Sequence, residues 1–229
     1  MERGRSRKAR SGCLGRIFGF VLFLIVAAVG VIAAVKYMPS RERADLDALY
    51  AAGGSDRVAL YLNYERQEES GVYVDGQTYL PATWVDANLN ERFYWDANEE
   101  ILVYALPEEI VKSDETTVDE DGKKILYRDG DAVYLSLALI QKYTDVRLQA
   151  YDGEAQKRVF VENNWDPVTV ADAAWSAKIR LRGGLKSPIV TEIKRGGTVT
   201  VLEQYDNWAR VMTPDGHIGY MHKWKMKNL

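Results

Sequence analysis

At 229 residues, 47% of them hydrophobic and 28% charged, the chain is long enough for one or two packed domains and too apolar to be disordered or collagen-like. One cysteine and two histidines leave no internal disulfide framework, no cysteine-rich zinc site and little for a histidine metal centre, so no cofactor is expected. The net charge of −3 divides into +6 for the first 36 residues and −9 for the other 193, a basic tip on an acidic body, which speaks against nucleic acid as a partner.

Residues 1–16 read as a basic tail. Ile17 to Val35 then give nineteen residues without charge or proline. As a helix such a run reaches roughly 28 Å, about the thickness of a hydrocarbon core, with its backbone hydrogen bonds satisfied internally. The basic cluster on its N-terminal side keeps that end in the cytoplasm and sends the chain outside from about Tyr37 onward. The run exceeds the ~7–15 apolar residues of a cleavable signal peptide, although Val31-Ile32-Ala33 offers a weak site. The expectation is an uncleaved, single-pass type II anchor through residues 17–35 in the cell membrane, with the bulk of the chain extracellular. Cys13 precedes the apolar run, so it is not a lipoprotein cysteine; an unmodified thiol is the default and palmitoylation the alternative.

Residues 36–56 read as a helical stalk, with Ser40 capping a helix over Arg41–Ala51 that Gly53-Gly54 ends. Beyond it the pattern turns to β. Five Asp-Gly pairs, beginning at Asp75, Asp121, Asp129, Asp152 and Asp215, mark tight turns between short apolar runs. A loose repeat underlies them: Tyr73-Val-Asp-Gly-Gln-Thr-Tyr-Leu-Pro returns as Tyr127-Arg-Asp-Gly-Asp-Ala-Val-Tyr-Leu-Ser, with Asp75 mapping to Asp129 at an offset of 54. Each copy predicts strand, turn, strand, short helix (Ala82–Leu89 and Ser136–Tyr143), strand, turn, strand. Two copies make one pseudo-symmetric α+β domain over residues 57–164, an antiparallel sheet with two short helices, since a solenoid needs three or more. Trp84, Tyr94 and Trp95 are expected in its core.

The phrase Val74-Asp75-Gly76, Tyr79-Leu80-Pro81, Trp84-Val85, Tyr94-Trp95-Asp96 resembles the domain named after the N-terminal domain of copper amine oxidases, repeated in many extracellular proteins of Gram-positive bacteria. The oxidase does not carry over, because residues 1–216 contain no histidine to ligate copper.

Asn163–Trp175, with Pro167 inside it, predicts a connector, set at residues 165–176. Residues 177–229 then resemble a bacterial SH3-type domain. An opening arginine strand (Lys178-Ile-Arg-Leu-Arg), Ser187-Pro188, the Lys194-Arg-Gly turn, Val199-Thr-Val-Leu, Trp208-Ala-Arg-Val and Asp215-Gly-His-Ile-Gly219-Tyr220 occur in the family order. The resemblance implies a small, strongly bent β barrel of about five strands. The whole chain is thus expected to be mainly β with some α: a transmembrane helix, a two-repeat α+β domain and an SH3-like barrel. The combination resembles the membrane-anchored N-terminal half of clostridial surface proteins in which a family 18 glycoside hydrolase barrel follows.

No Asp-x-x-Asp-x-Asp-x-Glu string of that hydrolase occurs in residues 1–229, nor a Gly-x-Ser-x-Gly or a phosphate-binding loop. The acidic run Asp114–Gly122 lacks the spacing of a calcium loop and reads as a solvated hairpin turn. His217 and His222 read as surface histidines, so no metal and no catalytic residue is expected. Binding remains. Tyr205, Asn207, Trp208, Tyr220 and Trp224 gather in the last module, where flat rings stack on sugars and amides supply hydrogen bonds. Trp208 and Tyr220 also fit barrel-building positions. The function expected is a non-catalytic binding protein of the cell envelope, with peptidoglycan or another wall polymer as partner. The alternatives are the targeting half of a family 18 glycosidase and a protein-docking subunit. The −9 charge argues against teichoic acid as ligand, since both would be anionic.

Overall fold

The computed structural model describes residues 12–153, 156–165 and 167–229, with side chains from residue 18 onward. Most of the basic tail and the side chain of Cys13 lie outside the described residues, and with them the question of palmitoylation. Helix α1 (Gly12–Tyr37) carries Phe18–Tyr37, a stretch long and apolar enough to cross a membrane, with none of its apolar window buried against the rest of the chain.

The stalk is not the helix the sequence predicts. Residues 40–44 are drawn out along the second domain: Ala44 N donates to Ile189 O at 2.7 Å, and Ile189 N donates to Glu42 O at 2.8 Å. Only Leu46–Tyr50 forms helix α2, capped by Asp45, whose side chain accepts from Ala48 N, instead of by Ser40. Strand-like pairing satisfies the backbone of residues 40–44 where a helix would have used its own carbonyls.

The first domain comprises β1 (Arg57–Leu62), β2 (Glu65–Val74), β3 (Gln77–Pro81), α3 (Ala82–Asn88), β4 (Phe93–Asp96), β5 (Ile101–Ala105), β6 (Ile110–Ser113), β7 (Leu126–Asp129), β8 (Ala132–Ser136), α4 (Leu137–Tyr143), β9 (Arg147–Tyr151) and β10 (Arg158–Glu162). Asp75 and Gly76, both at positive φ (50° and 80°), join β2 to β3 in the tight hairpin that Asp-Gly favours. Ser136 caps α4 by accepting from Leu139 N at 3.2 Å. Both helices pack on β3 and β8. The seven-stranded sheet runs β7-β8-β3-β2-β1-β10-β9, while β4-β5-β6 form a separate three-stranded sheet.

The sheet is mixed and not antiparallel throughout, because β1 and β10, next to the edge strand β9, pair in parallel. Their sequences carry the reason. Val58 to Tyr61 are all buried, as is every residue of β10, so these strands read as continuous runs and not as alternating ones. Strands buried on both faces are typical of parallel pairing. Val58, Leu60, Val159 and Val161 face the helices, with Trp84, Leu135 and Ile140. Ala59, Tyr61 and Phe160 face the second domain. Tyr94 is not in the core: it stands 63% exposed on the small sheet, while Trp84 is fully enclosed. Trp95 is half covered, with the Arg128 guanidinium 5.4 Å from its ring centre.

The second sheet runs β13 (Ile189–Ile193), β12 (Ala177–Arg180), β16 (Ile218–His222), β15 (Trp208–Met212), β14 (Thr198–Gln204), β11 (Thr169–Ala173) and β17 (Met226–Lys227). Strand β11 lies inside the expected connector. Ala171 and Ala173 point into the barrel core and pair their strand with β14, so Pro167 precedes a strand where it was expected to interrupt structure. In β14, Val199 and Val201 are buried in the barrel, Leu202 packs half-buried toward the first domain, and Thr198, Glu203 and Gln204 are exposed. Gly219 is required by contact: a Cβ there would lie 2.7 Å from Arg180 O and from Ile179 Cγ2.

The two domains share a third apolar cluster of Tyr50, Ala59, Tyr61, Phe160, Val190 and Met212. Arg158 crosses this junction at 1% exposure. Its guanidinium donates to Gly216 O (3.0 Å), Asp215 O (2.5 Å) and Gln156 O (2.8 Å), and lies over the rings of Tyr50 (4.8 Å) and Tyr151 (5.4 Å). The Tyr50 hydroxyl accepts from Ile218 N at 2.8 Å and donates to Ile218 O at 3.2 Å, and burial pushes its pKa up to about 12. The segment that follows α1 therefore acts as a wedge between the domains, not as a free stalk.

Candidate functional site

Strand pairing on the barrel brings the aromatic side chains together. Trp208 stands opposite His222 in the β15–β16 register, with ring centres 5.0 Å apart. The chain then makes one 3-10 turn, Lys223–Lys225, which lifts Trp224 beside His222 at 6.1 Å. Trp208 is held from behind by Gly183, where a Cβ would sit 3.2 Å from the indole. The row Trp208–His222–Trp224 lines a groove of about 450 Å³, together with Lys178 and Arg180 of β12, Leu185, Glu192 of β13, Lys225 and Pro39. Trp224 is 62% exposed, which leaves its face free for a ligand. Lys225 Nζ lies 4.8 Å from the centre of that ring and donates to Ser176 O at 2.9 Å.

Two of the five sequence-selected residues, Trp208 and Trp224, line this groove; Tyr205, Asn207 and Tyr220 do not. Tyr205 packs across Tyr220 at 5.8 Å, and its hydroxyl donates to Glu203, which raises the phenol's pKa. The hydrogen bond from Tyr205 and those from Arg210 hold the Glu203 carboxyl below its usual range. These groups satisfy one another, and Arg210 also reaches Glu65 of the first domain at 2.6 Å. Asn207 lies in the turn before β15, where its carbonyl accepts from Lys223 N at 3.0 Å.

The histidines also divide. His217 is not a surface residue: it is 8% exposed, edge-on to Tyr50 at 5.5 Å, with Nδ1 2.8 Å from Asp215. Burial alone would raise the Asp215 pKa, but hydrogen bonds from Thr213 and His217 lower it overall. His222 does border the groove. Burial, and then the Lys225 ammonium, lower its pKa, which favours the neutral ring near neutral pH. Its Nδ1 is buried without a hydrogen-bond partner among the described residues.

His222 and Lys225 were legible as chain neighbours of Trp224, whereas Lys178 arrives through the pairing of β12 with β16. Pro39 was not, since it lies about 140 residues before its neighbours in the groove and arrives only through the pairing of residues 40–44 with Ile189. In the acidic run, Asp114 and Asp119 accept hydrogen bonds from their own loop, including Thr116 N at 2.9 Å and Lys123 N at 2.8 Å. No cluster of three or more metal-ligating side chains occurs among the described residues.

A short antiparallel β module with an aromatic row along one groove is the architecture of an SH3-type domain. Residues 175–227 match the bacterial SH3 domain family. No curated protein matches the chain.

Proposed function

We propose that this protein is a membrane-anchored, non-catalytic binding protein of the bacterial cell envelope, which holds a wall component in the groove of its SH3 domain. The observation that carries the reading is the row Trp208–His222–Trp224 with Lys178 and Lys225 at its side, in a groove within the size range of ligand sites. Flat rings cover the apolar faces of sugar rings or peptide stems, while ammonium and amide groups supply directional bonds. The anchor is supported by α1, whose 20-residue stretch Phe18–Tyr37, apolar but for Lys36 near its end, finds no protein surface to bury its apolar window against and is the length a bilayer needs. The positive-inside rule then puts the folded domains outside. The order strand, turn, strand, helix, strand, strand over 65–105 and again over 126–162 supports two ancestral copies of the amine-oxidase-N-like unit, whose second halves now sit in different sheets.

The test is co-sedimentation of the full chain, in detergent micelles, with purified Gram-positive wall sacculi. Trp224→Ala is expected to weaken capture about tenfold or more, as loss of a central aromatic anchor does, with the melting temperature unchanged because the side chain is mostly exposed. Equal capture of wild type and variant would count against the groove; no capture of either would count against wall binding.

A further inference from the structure

The acidic charge of the outer part is not shared evenly. Residues 37–176 hold 13 Lys and Arg against 28 Asp and Glu, a formal −15, whereas residues 177–229 hold ten against four, a formal +6. The whole-chain balance that set teichoic acid aside therefore describes the first domain and not the module with the groove.

Three of the four carboxylates of the barrel, all but Asp206, are also paired. Glu203 pairs with Arg210 at 2.7 Å, Asp215 with His217 at 2.8 Å, and Glu192 with Arg43 at 3.9 Å. The cations near the groove meet carbonyls instead. Lys186 Nζ donates to Val35 O at 2.6 Å, Lys225 to Ser176 O, and the buried Arg180 guanidinium to Ser40 O and Ser187 O. A carbonyl fixes the position of a cation but leaves its net charge in place. Lys178, across β12–β13 from Glu192, has no ion pair of its own among the described residues. The groove thus carries Lys178, Arg180 and Lys225 against Glu192 alone.

We propose that the groove takes a polyanion built of sugar or polyol units joined by phosphodiesters, the units lying on Trp208 and Trp224 and the phosphates on Lys178 and Lys225. This deepens the wall-binding reading and rests on it. Neutral glycan would use the rings but leave the lysines without counter-charge. A flat bilayer would meet the charge but not fill a concave aromatic row. A phosphodiester polymer supplies an anion at each repeat beside a carbon face, which matches ring and ammonium side by side.

The experiment sediments the full chain, in detergent micelles, with intact sacculi and with the same sacculi freed of phosphodiester-linked polymer by hydrofluoric acid. Soluble poly(glycerol phosphate) and phosphatidylglycerol in mixed micelles serve as competitors. Expected are capture by intact sacculi, at least about tenfold weaker capture by stripped ones, and further weakening as salt rises from 0.05 to 0.5 M, roughly the range over which exposed charge pairs become screened. Lys178→Glu with Lys225→Glu should reproduce the stripped result, and Lys112→Glu with Lys123→Glu, on the first domain, should not. Equal capture by intact and stripped sacculi overturns the polyanion and leaves wall binding standing. Capture by neither overturns both. Competition by phosphatidylglycerol as strong, per phosphate, as that by the polymer transfers the site to the bilayer surface and overturns the polymer. The stripped-wall and salt arms use the wild-type chain, so they decide the matter even if the double variant fails to fold.

Discussion

Arg158 offers the most direct test of the domain junction. It is buried at the shared cluster, with three carbonyl acceptors and two tyrosine rings around it. Arg158→Met keeps a long apolar stem against Tyr50 and Tyr151 but removes the donors to Asp215 O and Gly216 O. Each buried carbonyl left without its donor costs about 1–3 kcal/mol, and the whole change is expected to cost about 3–5 kcal/mol. The loss falls on the contact between β10 and the β15–β16 turn, so it should uncouple the domains before it unfolds either. Urea unfolding of the full chain in detergent, followed by near-ultraviolet circular dichroism and by tryptophan fluorescence, reads both effects. The wild type should show one transition with coincident probes, and the variant an earlier transition that splits in two. A variant within about 0.5 kcal/mol of wild type, with a single unchanged transition, would refute the claim that this guanidinium joins the domains.

Gly219→Ala places a methyl 2.7 Å from Arg180 O, which is backbone and cannot move aside, so a cost of about 1–3 kcal/mol is expected in the same urea experiment. His222 makes stability depend on pH. Its folded-state pKa lies below the unfolded value of 6.5, so the unfolded chain takes up the proton first, and stability that is complete above pH 6.5 is lost as the pH falls below it. His222→Gln should flatten the profile below pH 6.5, and an unchanged slope would assign it to other groups.

How far the sequence carries can be judged residue by residue. The nineteen-residue apolar run sets α1 by composition alone, and the spacing Asp215-Gly216, Gly219-Tyr220 sets the last hairpin of the barrel, because those features act within a few residues of themselves. Asp75-Gly76 fixes its turn for the same reason, since positive φ is a local demand. The helices over 82–88 and 137–143 were legible from their place after each Asp-Gly hairpin and, in the second, from apolar spacing. What the sequence did not show depended on distant strands. Residues 40–44 looked helical and became a strand partner of Ile189. Thr169–Ala173 looked like a connector and became part of the barrel sheet. Tyr205 and Tyr220, selected with the groove aromatics, stand beside the Glu203–Arg210 pair and outside the groove lining.

The sequence by itself determined the apolar helix, the turn positions and the identity of the barrel, since each rests on local backbone preference or on a short motif read in order. The tertiary structure alone decided the parallel seam of β1 and β10, the wedge of Tyr50 and Arg158 between the domains, and the placing of Pro39 beside Trp208 and Trp224. These joins are made by surfaces buried on both sides, and burial depends on which strands meet across more than a hundred residues of chain, a relation that no local pattern encodes.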